Sequence, residues 1–174
     1  GVSNGTNMIF DHCSFAWGRD ETFSINSDGK GALGDITIQN CIIGQGLMSH
    51  SAGGLIQADN ITLYRNFYCD NSTRNNKVKG RNQYANNIVY NWKDGAYIMG
   101  GDSEGQSFCN IQGNLFINGP CGEGNGFSGG NANFHCYVND NIQDNNRDGV
   151  LNPKALTNFS GADVVSTPFS YPAL

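Results

Sequence analysis

Three cationic side chains, Arg74, Lys77 and Lys79, fall within six residues of one another in the stretch STRNNKVKG, residues 72–80. The chain as a whole is acidic, with 10 Lys and Arg against 15 Asp and Glu and a net charge of −5. Positive charge gathered on one loop is what an anionic ligand, or negative charge developing during a reaction, requires. The alternative is an exposed cationic loop with no chemistry attached. A second pair of residues invites the opposite reading. Asp20 and Glu21 are adjacent in WGRDETFSIN, residues 17–26. Neighbouring carboxylates are the donors that hard cations take, although such an ion wants several more oxygens. The alternative there is a solvated turn.

The elements that must position these residues show themselves as a repeat. Cys13, Cys41, Asn66, Asn87, Asn114 and Asn141 recur at steps of 28, 25, 21, 27 and 27 residues, about one coil of a solenoid each. Three residues before each stand Phe10, Ile38, Leu63, Tyr84, Ile111 and Val138. Five before stand Met8, Ile36, Ile61, Asn82, Cys109 and Cys136, and one after stand Ser14, Ile42, Phe67, Ile88, Leu115 and Ile142. The alternation at −5 and −3 is the period-two signature of a strand with one face buried. A side-chain amide both donates and accepts, so stacked asparagines can bond from rung to rung. The pattern predicts an all-β, right-handed parallel β-helix of about six coils, with an asparagine ladder at the bend between two parallel sheets. In this scheme Arg74 lies on the loop that leaves the third coil, and residues 119–131 form a glycine-rich loop.

Composition agrees with that fold. Only 14% of residues are charged, there are 24 glycines, and no window reads as an amphipathic helix. The acidic balance argues against nucleic acid as a partner. It would also repel a polyanion unless metal ions bridged the two. No signal peptide or membrane-spanning segment is present, so membrane insertion is not expected. Six cysteines stand at 13, 41, 69, 109, 121 and 136 without a CxxC pair. Stacked core thiols and disulfides in an oxidising compartment both remain open. Sequons begin at Asn4, Asn60, Asn71 and Asn158. Residues 1–144 are expected to form the coils. Residues 145–174, with Phe159, Phe169 and Tyr171 and with Pro168 and Pro172, are expected to form an extended tail packed on the solenoid or over its end. Because Gly1 opens directly onto a strand, a preceding segment or partner chain is expected to cover that end.

The pieces IFDHCSFAWGRDE, NITLYRNFY with STRNNKVKG, NNIVYNW and SEGQSFCNIQGN together resemble the pectate lyase family of parallel β-helices, over roughly residues 7–118. The resemblance implies β-elimination on polygalacturonate. A base removes the C5 proton beside the uronate carboxylate and the C4–O bond breaks, with Ca²⁺ and basic side chains stabilising the charge. It implies Arg74 as the catalytic base, an awkward one, since arginine holds its proton to above about pH 12. It further implies Lys77 and Lys79 as ligands for substrate carboxylates, and Asp20 with Glu21 as metal ligands. An acidic polysaccharide, polygalacturonate or pectin, becomes the expected partner, and a secreted or periplasmic location the expected one.

The sequence also departs from the family pattern. Where the family motif has proline and a second arginine, this chain has Asn76 and Lys79, which predicts a less stiff loop and the loss of bidentate geometry. Ser24 stands where a second acidic ligand is expected, so Glu21 must substitute. Met48 replaces a substrate-binding lysine, for which Lys30 or His50 are the nearest stand-ins. His12 reads as a hydrogen-bonded structural residue. These departures keep two other readings in play, a non-catalytic binder of acidic glycans with an eroded site and a purely structural β-helix.

Overall fold

The computed structural model describes residues 1–101, 104–122 and 124–171. Pro172, the end of the 145–174 tail, and Ser103, which opens SEGQSFCNIQGN, lie outside the described residues. The described chain contains strands and turns and no α-helix, and it winds as a right-handed parallel β-helix. Each coil contributes a strand to a first sheet (Gly5–Asp11, Leu33–Gln39, Asp59–Tyr64, Arg81–Ala85, Ser107–Gln112, Phe134–Asn139) and, after a tight bend, a strand to a second (Ser14–Ala16, Ile42–Gly44, Phe67–Cys69, Ile88–Tyr90, Leu115–Ile117, Ile142–Asp144). A longer turn leads to a third sheet (Ile25–Asn26, Leu55–Gln57, Lys77–Lys79, Tyr97–Met99, Phe127–Ser128).

The columns read from the sequence are the observed register. Met8, Ile36, Ile61, Asn82, Cys109 and Cys136 pair in succession down the first sheet, as do Phe10 to Val138, two residues on. Ser14, Ile42, Phe67, Ile88, Leu115 and Ile142 pair down the second. The first two columns point inward, but the third points out: Ile42, Phe67, Ile88 and Ile142 are exposed. The inward residue is the next along, and Ile43, Tyr68, Val89 and Phe116 are buried in the core.

The bend between first and second sheets has one conformation at all six coils. The residue before each ladder position, His12, Asn40, Arg65, Asn86, Gly113 or Asp140, has φ between 51° and 64°. Asn, Asp and Gly tolerate this left-handed geometry best, so His12 is a corner residue bonded to its neighbour Asp11. One left-handed residue turns the chain, and the amide that follows fixes the bend. The Oδ1 atoms of Asn66, Asn87, Asn114 and Asn141 accept from the backbone N–H of Cys41, Asn66, Asn87 and Asn114 at 2.9–3.1 Å. Their Nδ2 atoms donate to the carbonyls of Ile38, Leu63, Tyr84 and Ile111. Amide-to-amide bonds join only Asn87 to Asn114 and Asn114 to Asn141. The ladder therefore serves mainly to satisfy backbone groups that the bend removes from the sheets.

Beyond residue 144, Lys154–Ala155 pairs antiparallel with the second sheet and Asp163–Val165 adds a seventh parallel strand to the first. Phe169 exchanges two hydrogen bonds with Asn110, and the Tyr171 hydroxyl reaches the carbonyls of Asn82 and Phe108. All six cysteines are free thiols. Register stacks Cys109 on Cys136 inside the core, and burial pushes both thiols up to about 12.

Candidate active site

The turns that lead from the second sheet to the third vary in length and stack on one another. Thr22 N–H donates to the Ala52 carbonyl, Phe23 N–H to that of Gly53, Gly53 N–H to that of Thr73 and Gly54 N–H to that of Arg74, at 2.7–3.0 Å. Glu21, Ala52 and Thr73 thus stand in a column across three coils. The middle coil offers only small residues there. Ala52 is fully buried, and a Cβ on Gly53 would lie 2.7 Å from the Arg74 carbonyl oxygen, on Gly54 2.3 Å from that of Phe23. Residues 51–54, SAGG, are thereby a low saddle over which the loops of the first and third coils meet.

Across that saddle the Arg74 guanidinium forms an ion pair with the Glu21 carboxylate. The pair is neither open nor sealed, with side-chain exposures of 26% and 15%. Beside it, His50 Nε2 lies 3.2 Å from Asp20 Oδ1. The donor atoms of Asp20, Glu21 and His50 all fall within 4.8 Å of one another. Each of the two acids therefore faces one basic group delivered by a later coil.

The Arg74 loop is held from within. Asn71 and Asn75 are buried and bonded to each other, Asn71 Nδ2 to Asn75 Oδ1 at 2.9 Å and Asn75 Nδ2 to the Asn71 carbonyl at 3.2 Å. Asn71 also bonds the Gly46 N–H and the Ile43 carbonyl of the preceding coil. The Tyr84 hydroxyl donates to the Asn75 carbonyl at 2.8 Å. The stiffness expected to be missing for want of a proline is supplied by these amides. Arg74 itself has a left-handed φ of 52°.

Lys77 and Lys79 follow on the third sheet, on either side of buried Val78, so both face outward. Lys77 lies in register between Leu55 and Ile98, and Lys79 beside Gln57. Their ammonium groups reach towards the turn after Tyr97–Met99, for a Cβ on Gly101 would lie 3.5 Å from Lys77 Nζ and one on Gly105 3.5 Å from Lys79 Nζ. Lys79 also lines a polar cleft of about 460 Å³ with Asn26, Gln57, Asp59 and Gln106.

The structure thus brings Arg74, Asp20 and Glu21 together and sets the two lysines on the strand that follows. Of the substituted positions, Ser24 is spent on a bond from the Leu55 N–H at 3.1 Å and Met48 projects into solvent at 82% exposure. His50 was the feature hardest to place from sequence. Its signal was its position one residue before the SAGG run, since a run of small residues between two charged loops marks where they approach. The asparagines of the Arg74 loop were legible only as composition.

Comparison with known proteins gives one consistent result. No family model matches the chain. It is 52% identical to "Probable pectate lyase C" of Neosartorya fischeri over 179 residues, covering all of this chain and 42% of that relative. Against the proteins of the same name from Aspergillus flavus and Emericella nidulans the identities are 50% and 51%, over 100% and 99% of this chain and 42% and 40% of theirs. The chain spans about two-fifths of the length of the curated relatives it matches.

Proposed function

Since the chain belongs to the pectate lyase family along the whole stretch it shares with these relatives, we propose that it carries the catalytic coils of a lyase cleaving polygalacturonate by calcium-assisted β-elimination. The observation that supports this most is the meeting of Arg74 with the Asp20–Glu21 pair across the SAGG saddle, next to the outward face bearing Lys77 and Lys79.

The substrate is a polymer of uronates. Lys77 and Lys79 hold its carboxylates as charge-assisted donors. Arg74, its own proton first passed to solvent, takes the C5 proton on the neutral guanidine nitrogen so formed. The C–H electron pair becomes the C4–C5 double bond, and the C4–O bond breaks, with solvent protonating the departing oxygen. Asp20 and Glu21 offer oxygens suited to a hard cation, whereas the His50 imidazole is a poor calcium donor. Two carboxylates fall short of the six to eight oxygens such an ion takes. They fit a calcium ion that water, substrate carboxylates or further coils complete. Bound there, calcium would draw charge from the uronate carboxylate and acidify the C5 proton. A polymeric substrate of plant cell walls places the enzyme outside the cell.

The unsaturated uronate product is conjugated, so the test is ultraviolet absorbance appearing on polygalacturonate at alkaline pH, dependent on calcium and lost in Arg74→Ala. Absence of that signal in the full chain, with calcium binding verified separately, overturns the proposal.

A further inference from the structure

Glu21 has two claims on it. Its carboxylate holds the Arg74 guanidinium, and it is also one of only two carboxylates in the Asp20–Glu21–His50 cluster. A guanidinium nitrogen donating to Glu21 cannot at the same moment take a proton from a sugar carbon. Asp20 is in a parallel position, facing His50. The two acids are therefore each capped by a basic side chain.

We propose that Glu21 is the positioning residue that couples cation binding to the release of Arg74: without a divalent cation it holds the guanidinium against the saddle, and with one it turns its oxygens to the metal and frees Arg74. This rests on the proposed function only in taking a divalent cation at the Asp20–Glu21 pair. Two observations carry it. The buried Asn71–Asn75 network fixes the backbone of the loop, so the release is a side-chain movement and needs no change in the coil. The middle coil puts no side chain larger than the buried Ala52 methyl between the partners, and Gly53 stands beside it.

The experiment reads the arginine directly and needs no turnover. The full chain is treated with a dicarbonyl reagent that modifies free guanidinium groups, with calcium chloride or with a chelator, and the rate at Arg74 is followed by peptide mass spectrometry against Arg19 as internal reference. Calcium is expected to raise the Arg74 rate about five-fold, the release of a partner worth ~1 kcal/mol. Glu21→Ala should show the raised rate with and without calcium, and Glu21→Gln, a milder change, serves if the first variant fails to fold. An Arg74 rate indifferent to calcium, or no binding of calcium by calorimetry, overturns the handover. Calcium-dependent turnover with an indifferent Arg74 would sink the handover alone. A calcium-raised Arg74 rate without turnover would sink the lyase reading alone.

Discussion

Two turns of each coil solve the same problem in opposite ways. Between the first and second sheets the chain bends through one left-handed residue and one ladder residue, six times over. Between the second and third sheets it takes turns of differing length, in which the coils supply unlike residues: Asp20 and Glu21, then His50 and SAGG, then Asn71 to Asn76. Buried asparagine is used in both. In the ladder it satisfies the backbone of identical neighbours, whereas Asn71 and Asn75 brace a single loop that has no counterpart. A repeated bend is a poor place for a site, because its ladder side chains are spent on the backbone of the neighbouring coil. Unlike side chains from successive coils come together only where the repetition breaks, and the candidate site is built there.

The widest separation between the two turns should come from one substitution in each. Arg74→Ala is expected to lower turnover on polygalacturonate by about 10³-fold or more, the range for a proton-transfer group with charge stabilisation attached. Its melting temperature should change little, since the pair it forms is partly exposed. Asn114→Ala should do the reverse. It leaves the Asn87 N–H and the Tyr84 carbonyl without their partners in the core, a loss of about 3 kcal/mol by denaturant unfolding, while the folded fraction keeps its turnover number. If Arg74→Ala unfolded the chain, or Asn114→Ala removed activity from folded protein, the division would collapse.

Gly53→Ala probes the border between them. Its added methyl would stand 2.7 Å from the Arg74 carbonyl and 2.9 Å from Asn75 Oδ1, so the loop must shift by some tenths of an ångström. Displacement of a reacting group on that scale is expected to cost about ten-fold in turnover, with a smaller fall in melting temperature. Equal loss in both measurements would mean that the saddle is merely structural.

What was legible in the sequence follows the same division. The ladder positions and both inward columns could be read because each is repeated in six coils, and repetition averages out the exceptions: Asn82 among the apolar residues at −5 did not hide its column. The same averaging says nothing about a residue that occurs once. Arg74, Asp20 and Glu21 were reachable through motif resemblance, and stacked coils set the Arg74 loop beside the Asp20 loop. That Glu21 is the partner of Arg74 was not legible, since it depends on turn lengths that bring coils one and three together over coil two. The direction of the Ile42–Phe67–Ile88 column was also beyond the pattern. An apolar column one step after a bend can face either way, and the left-handed corner decides it. His50 could be noticed by type, yet only the stacking of the turns shows that it faces Asp20.

The smallest effect lies in the ladder itself, where its first two rungs are cysteine. Cys41 Sγ accepts from the Cys13 N–H at 3.4 Å and donates to the Gln39 carbonyl at 3.1 Å, with the Phe10 carbonyl farther off at 3.6 Å. Sulfur is a weak partner in both directions. An amide at this position would repeat what Asn66 does one coil on, accepting from a backbone N–H and donating to a carbonyl of the coil before it. Cys41→Asn is therefore expected to stabilise the chain by about 1 kcal/mol, one better hydrogen bond in a buried setting. It should also alter the response to alkali. Burial pushes the Cys41 thiol up from its ordinary range. A thiol so raised contributes stability that is fully present below the unfolded value, about 8.5, and is lost as pH rises towards the folded one, because the unfolded chain releases its proton first. Removing the thiol removes that loss. The gain of Cys41→Asn over the parent should thus widen from neutral pH to pH above 9 when unfolding is followed by urea titration at each pH, and turnover should be untouched at all of them. A gain that is flat with pH would leave the hydrogen bond and remove the thiol from the account. A destabilised variant would show that the first coil cannot offer an amide the backbone partners that the later coils provide.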